Sequence, residues 1–385
     1  MRALKVVIVG AGPSGASCAL GIAQRMPSAE ILLLDKSRYP RVKVCGSGIS
    51  PHAINQLDRL HLKQRLAANV RSSMTTLRAV GPGGGEILLN SGQEAWVYPR
   101  VEFDHAIVGA AAERGVEFRE GTKVTALLRD PATSAGDPGR VRGVRAQGED
   151  IEADLVICAD GSPSRFSLDT SPRTTIQTLV GWYRGTGFPD GQGWMIWDAA
   201  LAGYYFWVFP EPDGVVNIGL TIPGDAPDAK RLKPLFQELL DRHCARELEG
   251  AEQIGRLRGH PAVVTTAVNT LSEAHALWVG EAARLVMPGA VEGIGFALES
   301  GLRGADFVHH HFSPYSGFAP LARRRHRLAT ARAVLPKFWA GHAFVQAVKH
   351  PAARSLGRVL ATKPAKLLLD RALHGLLGHE TRAAS

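Results

Sequence analysis

Three glycines and one aspartate carry the first recognisable chemistry in this chain. The run Val6-Val7-Ile8-Val9-Gly10-Ala11-Gly12-Pro13-Ser14-Gly15 sets Gly10, Gly12 and Gly15 in Gly-x-Gly-x-x-Gly spacing, and Leu32-Leu33-Leu34-Asp35 follows. Gly10 permits a tight turn, Gly12 lets backbone N–H groups approach a pyrophosphate, and Gly15 lets a helix pack against a strand. The positive end of that helix then faces the phosphates. Asp35 stands where a ribose hydroxyl needs an acceptor. A glycine pattern by itself also joins ordinary strands and helices. Strand, turn, helix and acid in register make a dinucleotide-binding βαβ unit the stronger reading.

The second concentration of chemistry is aromatic. Ten of the 26 aromatic residues fall within residues 181–210, among them Tyr204, Tyr205, Phe206, Trp207 and Phe209. On a strand, Tyr204 and Phe206 face one way while Tyr205, Trp207 and Phe209 face the other. Both faces are apolar, so one is expected to meet the core and the other to line a cavity. Such a pocket fits a long hydrocarbon or a flat aromatic molecule and does not fit a small polar acid. Ordinary core packing on both faces is the alternative.

The elements that must position these residues follow from pattern. A chain of 385 residues buries a substantial core and is expected to build two lobes. Lys36 to Ser50 reads as a loop, residues 76–97 as a hairpin around Gly81-Pro82-Gly83-Gly84-Gly85, and Glu102 to Arg114 as a helix. Val124 to Leu128 and Leu155 to Cys158 read as strands, the latter ending in Asp160 and Gly161. Residues 170–275 turn strand-like, Leu277-Trp278-Val279-Gly280 returns to a buried parallel-strand pattern, and Ile294 to His309 is helical. Cys18, Cys45, Cys158 and Cys244 are widely separated, as reduced thiols would be. His309-His310-His311 point in different directions on a helix, so no metal site is expected.

Charge is uneven. Residues 319–385 hold 13 Lys and Arg against 2 Asp and Glu, whereas residues 1–318 hold 32 against 34. Leucines at helical spacing from Leu356 to Leu377, interrupted by Pro351 and Pro364, predict short amphipathic helices in that tail. A basic amphipathic tail suits anionic lipid headgroups, at about 1 kcal/mol per Lys or Arg near the surface. A helical cap with solvated arginines is the alternative, and nucleic acid is not expected because no reading module accompanies the charge. The chain contains no stretch of roughly 18 uninterrupted apolar residues, and the first apolar run is glycine-broken. A cytoplasmic protein, peripheral at the inner membrane face through its basic end, is expected.

Three further segments carry a resemblance. Arg100-Val101-Glu102-Phe103-Asp104 resembles the arginine-led third helix of flavoprotein hydroxylases, and Cys158-Ala159-Asp160-Gly161-Ser162-Pro163-Ser164-Arg165 resembles their Asp-Gly fingerprint. Val279 to Pro288 and Glu292-Gly293-Ile294-Gly295 resemble the segment that holds the ribityl chain and pyrophosphate of FAD. The chain looks like an FAD enzyme with the architecture of para-hydroxybenzoate hydroxylase. Lys43-Val44-Cys45-Gly46-Ser47-Gly48 and Tyr205-Phe206-Trp207-Val208-Phe209-Pro210 resemble the Lys-x-Cys-Gly loop and Tyr-x-Trp-x-Phe-Pro signature of the geranylgeranyl reductase branch. Flavin halogenases, by contrast, are expected to carry Trp-x-Trp-x-Ile-Pro there. The longer reductase pattern starts with proline where this chain has Ala202, Glu281 replaces the usual aspartate, and Arg284 stands where a small residue often follows.

The resemblance implies an α/β fold in which a Rossmann-like FAD-binding domain (residues 1–70, 98–168 and 276–315) is interrupted by an antiparallel-sheet substrate domain. The latter takes residues 71–97 and 169–275, and residues 316–385 form a basic C-terminal helical segment. It implies FAD contacts from Gly10, Gly12, Pro13, Ser14, Gly15, Asp35 and Lys36 around the first turn. It implies further FAD contacts from Cys45 and Gly46 on a loop against the isoalloxazine ring, from Arg100, Val124, Asp160 and Gly161, and from Glu281, Pro288, Gly293, Ile294 and Gly295 of the ribityl and pyrophosphate segment. Cys45, Tyr205 and Trp207 are the expected catalytic residues. The implied activity is saturation of isoprenoid C=C bonds in a prenyl diphosphate, prenyl lipid or prenylated quinone. NAD(P)H or another electron carrier would be the reductant, since no second Gly-x-Gly-x-x-Gly follows a strand. The π-faces of Tyr205 and Trp207 suit a cationic transition state at an unactivated alkene. A flavin monooxygenase acting on an aromatic or apolar metabolite and a non-catalytic prenyl-lipid escort are the two rivals.

Overall fold

Near-continuous apolar runs form strands buried on both faces. Leu155–Cys158, Lys5–Val9 and Glu30–Leu34 pair in parallel, with Val6 opposite both Leu155 and Ile31. Ala276–Trp278 joins beyond Leu155–Cys158, and Glu117–Arg119 joins beyond Glu30–Leu34, completing a five-stranded parallel sheet. Val6 and Ile8 face a cluster with the helices Pro13–Arg25, Arg100–Ala112 and Ile294–His311. Val7 and Val9 face the opposite way, against the antiparallel strands Val124–Arg129 and Val141–Ala146. The computed structural model describes residues 2–352 except 71, 91, 133–138, 169–172 and 225–228.

A seven-stranded sheet makes the second layer system, in the order Glu252–Val264, Thr174–Arg184, Val215–Pro223, Phe206–Pro210, Gln192–Ile196, Thr76–Val80, Glu86–Leu89. Only Gln192–Ile196 with Thr76–Val80 is parallel; the other pairs are antiparallel. Alternation sorts its residues. Phe206 and Val208 pack with Phe236 and Leu239 of the helix Ala229–His243, whereas Trp207 joins Tyr205 and Val180 on the other face. The fold is thus a Rossmann-like parallel layer interrupted by a largely antiparallel sheet and followed by a C-terminal helix.

Two local expectations need correction. The hairpin is shorter than residues 76–97: Ala95–Val97 leaves it to pair with Gly48–Ile49 and Ser73–Met74 in a separate three-stranded sheet. Tyr204 does not share a face with Phe206. It precedes the strand and packs with Ile176, Val286 and Val345, because Ala202 and Gly203 turn the chain at φ +50° and +89° just before it. The basic end begins as one helix, Pro320–Lys349, that runs through Pro336 and is anchored by Phe338 against Phe296, with ring centroids 5.1 Å apart. The short helices expected between Leu356 and Leu377 lie outside the described residues. Among the described residues, no helix is long and apolar enough to cross a membrane.

Helix Ile294–His311 is clamped to helix Pro51–Arg59 by a buried pair. His52 Nε2 lies 3.2 Å from Glu299 Oε2 in ion-pair rather than hydrogen-bonding geometry, and Arg303 Nε donates to Glu299 Oε1 at 2.7 Å. Burial by itself would raise the Glu299 pKa; His52 and Arg303 outweigh it and hold the carboxyl down at about 2. A depressed carboxyl stabilises the fold above its ordinary pKa of 4.5, and that contribution fades as pH falls toward 2. Glu299→Gln is expected to cost on the order of 2–3 kcal/mol in neutral denaturant unfolding. The deficit should shrink as pH drops through this range; a constant deficit would mean that packing, not charge, is responsible.

Candidate active site

The turn after the first strand opens a cleft. Gly10 holds φ +101°, and a Cβ there would collide with the Ala159 carbonyl, so only glycine brings these two strand ends together. A Cβ at Gly15 would collide with the Gly10 carbonyl, so the helix Pro13–Arg25 starts flush on the turn. No side chain caps that helix N-terminus. Asp35 Oδ2 accepts from Ala11 N at 2.9 Å and Oδ1 from Ser37 N at 2.8 Å, which fixes the carboxylate at the cleft wall. Arg41 lies over the open side of the turn, its Nη2 3.5 Å from where a Gly12 Cβ would be. Its Nε donates to Tyr39 Oη at 2.9 Å, and Tyr39 donates to the Ala11 carbonyl at 2.7 Å.

Further along, charge is denser. Asp104, fully buried, accepts from Arg100 Nε and Nη2 at 2.7 and 2.8 Å and lies 2.9 Å from Arg41 Nη2. Burial opposes the Arg100 charge, but Asp104 and a hydrogen bond to Cys45 take its pKa above the ordinary arginine value. Burial pushes Lys43 down to about 8, against the pull of Glu281. Burial raises Glu281, opposed by Lys43, the Val263 N–H and Ser162. Glutamate therefore reaches Ser162 and the edge strand with its extra methylene, and Arg284 after it closes the short turn at φ +57°. Burial, reinforced by Lys43, lowers His260 to about 4, so it is neutral at pH 7. Asp160 is held by its own loop, accepting from Ser164 Oγ and Arg165 N, both at 2.7 Å.

The cleft ends in the aromatic wall. Its cavity of about 410 Å³ runs from Gly12, Ser14 and Lys36 past Arg100 to Tyr205 and Trp207. A second cavity of about 250 Å³, lined by Ile49, Met74, Leu77, Leu89 and Met195, shares Cys45, Tyr205 and Phe209 with the first. Tyr205 donates its hydroxyl proton to the Ala290 carbonyl at 2.6 Å, and burial raises its pKa further from the ordinary tyrosine range. It offers the cavity a ring face, not a titrating proton.

Of the sequence-expected residues, Gly10, Gly12, Pro13, Ser14, Asp35 and Lys36 come together at the turn, and Cys45, Gly46, Arg100, Asp160, Gly161 and Glu281 at mid-cleft. Gly293, Ile294, Tyr205 and Trp207 close the far end. Four lie off the cavity wall. Val124 is buried beneath the parallel sheet, Gly15 is spent on close packing with Gly10, Gly295 faces His52 and Glu292, and the Pro288 carbonyl abuts Gly341. Arg41 and His260 line the cleft without having been singled out, and Lys43 and Ser162, quoted above within their motifs, line it too. For Arg41 the available signal was a cation two residues before Lys43 in the loop directly after the second strand.

These residues fit FAD. An uncapped helix start, a fixed acceptor at Asp35 and three cations suit the adenosine diphosphate half; the aromatic end suits a flat ring system. Residues 3–186 match the FAD binding domain family. Digeranylgeranylglycerophospholipid reductase 2 of Methanopyrus kandleri is 30% identical over 302 residues, spanning 74% of this chain and 71% of that protein. Menaquinone reductase of Mycobacterium tuberculosis is 28% identical over 333 residues, spanning 79% and 76%. A geranylgeranyl bacteriochlorophyll reductase-like protein from Thermoplasma acidophilum superimposes with a TM-score of 0.80 at 20% identity, covering 98% of this chain and 100% of that one. A flavin-dependent brominase does so at 0.73 and 18% identity, covering 96% and 98%. At such identities these last two establish a shared fold. Fold and site together define an FAD-dependent oxidoreductase. Within that class, the chain belongs to the geranylgeranyl reductase family.

Arg41 supplies a charge at the Gly12 turn that Asp104 retains a partner without, since Arg100 stays. Arg41→Leu is expected to weaken FAD binding roughly tenfold to a hundredfold, as loss of one charge-assisted hydrogen bond would. Titration of the flavin-free variant with FAD checks this, and unchanged affinity would remove Arg41 from the cofactor site.

Proposed function

We propose that this protein saturates isoprenoid C=C bonds of a prenyl diphosphate, prenyl lipid or prenylated quinone. The observation that carries the reading is the wall shared between a polar-ended cleft and an apolar chamber, formed by Cys45, Tyr205 and Phe209. FAD, bound and reduced, would supply a hydride to one alkene carbon; the protein must bring the alkene to it, stabilise the positive charge that develops and let a proton reach the other carbon. Ile49, Leu77, Leu89 and Met195 receive hydrocarbon. The ring faces of Tyr205 and Trp207, with centroids 6.0 Å apart, stabilise the positive charge that develops at an unactivated alkene. Cys45 sits where both cavities meet and, among the described residues, carries the only thiol on either wall. Relatives named for reducing digeranylgeranylglycerophospholipid and menaquinone support a prenyl substrate.

Anaerobic incubation of the dithionite-reduced holoenzyme with prenyl lipids, read by mass spectrometry, tests the reaction. A gain of two hydrogens per double bond is expected; product that gains oxygen, with substrate-stimulated oxygen uptake, would select a monooxygenase instead. Trp207→Leu should lower turnover about tenfold or more while flavin content stays near wild type. Full activity in that variant would exclude the cation-stabilising role.

A lipid surface is the proposed source of substrate. Helix Pro320–Lys349 carries seven Lys and Arg and no Asp or Glu. Leu321, Leu328 and Trp339 are 58%, 42% and 57% exposed and, at seven- and eleven-residue spacing, share one line along it. Phe344 of this helix packs edge-on against Trp197, and Trp197 lies 6.1 Å from Tyr205, so the helix adjoins the cavity wall. The protein is expected to bind phosphatidylglycerol vesicles, less so at high salt. Replacing Arg324, Arg325, Arg327 and Arg332 by Gln should abolish this binding, and undiminished binding would sink the assignment to this helix.

A further inference from the structure

Trp207 is held from behind. Its indole N–H donates to Asn217 Oδ1 at 2.8 Å, and Asn217 Nδ2 donates to the Cys45 carbonyl at 3.2 Å and to Glu211 Oε1 at 3.0 Å. Asn217 is fully buried and borders neither cavity. It therefore touches two of the three expected catalytic residues, Trp207 and Cys45, from outside the space where substrate would lie.

The partners fix which way the amide points. An indole nitrogen only donates, so it requires the amide oxygen; a carboxylate only accepts, so it requires the amide nitrogen. Glu211 also receives the Trp182 indole N–H at 3.1 Å and a hydrogen bond from Ser47, two residues beyond Cys45. Flipping Asn217 would set its oxygen against Glu211 and its NH₂ against the indole, so one orientation survives.

The sheet register confines Trp207 to a slot. It pairs with Gly219, where a Cβ would collide with the indole ring, and a Cβ at Gly46 would lie 3.0 Å from its Nε1. The ring thus lies flush between two glycine backbones, one on the sheet and one on the Cys45 loop. What glycine leaves undetermined is rotation of the ring in that slot, and the bond to Asn217 sets it.

We infer that Asn217, oriented by Glu211, is a positioning residue that locks the Trp207 ring and the Cys45 loop in one mutual geometry across the cavity. This rests on the proposed reaction for its purpose, and on the hydrogen-bond network alone for its existence. Alkene carbons offer no hydrogen bond by which to be placed, so a hydrocarbon substrate takes its position from the walls. A wall that tilts misplaces the double bond without releasing the chain.

The test uses holoenzyme labelled with 5-fluorotryptophan, the Trp207 ¹⁹F resonance being assigned by its loss in Trp207→Phe. Asn217→Asp keeps the oxygen that receives the indole but sets a carboxylate beside Glu211 and removes the donor to Cys45. Glu211→Leu removes the acceptor that orients Asn217, whereas Glu211→Gln keeps an oxygen to which the Trp182 indole and the Asn217 amide can both donate. Asn217→Asp and Glu211→Leu are each expected to shift or broaden the Trp207 signal and to lower kcat roughly tenfold with little change in KM or FAD content. Glu211→Gln should keep the signal and much of kcat. An unmoved Trp207 signal in Asn217→Asp, equal loss in the two Glu211 variants, or loss that tracks FAD content would each overturn the inference. If Asn217→Asp does not fold, the Glu211 pair decides: a Trp207 signal displaced in Glu211→Leu and kept in Glu211→Gln supports the network, and one unmoved in both refutes it. A wild-type holoenzyme that hydrogenates no prenyl lipid would defeat the proposed reaction while leaving the ¹⁹F result to decide this one.

Discussion

One buried carboxylate governs the architecture of this site. Asp104 has no solvent contact and stands between two guanidinium groups, those of Arg100 on its own helix and Arg41 on the loop after the second strand. An isolated buried carboxylate would be costly to ionise, and two fixed cations make its charge tolerable. Each cation then has a second task. Arg41 reaches the glycine turn through Tyr39, and Arg100 reaches Cys45. The glycine-turn end of the cleft and the thiol loop are tied to one anion, so neither moves without disturbing the other.

Around that anchor, polarity falls steadily from one end of the cleft to the other. Asp35 and the uncapped helix present fixed dipoles and charge at the turn; Lys43, Glu281 and neutral His260 occupy the middle; rings and aliphatic side chains finish it. The ordering follows from topology. Parallel strands end together at the glycine turn, while the antiparallel sheet turns its alternate residues, Trp207 and Phe209, toward the same opening. Phe206 and Val208, one residue out of phase, fill the core beneath helix Ala229–His243.

The parts legible in the sequence were those written locally. The first βαβ unit shows because glycine spacing and an apolar strand are contiguous, and the two-faced aromatic strand shows because alternation has a period of two. What escaped depends on register between distant strands. Asn217 meets Trp207 only because Phe209 pairs with Asn217 and Trp207 with Gly219, and no pattern near residue 217 announces it. Ala95–Val97 looked like the return of a hairpin because its partners, Gly48–Ile49 and Ser73–Met74, lie on separate stretches of chain. Val124 is apolar on a strand whichever way it faces; burial beneath the parallel sheet, away from the cleft, is a tertiary outcome.

The corner at Ala202 changes how this lineage is recognised. Proline is confined to φ near −65°, whereas Ala202 turns through the left-handed region at +50° to deliver Tyr205 and Trp207 to the cavity. Absence of the motif's leading proline therefore marks a different path into the same strand, not decay of the wall that follows. A search template that insists on proline would discard chains whose aromatic strand is intact, and divergence at this bend reports a backbone route.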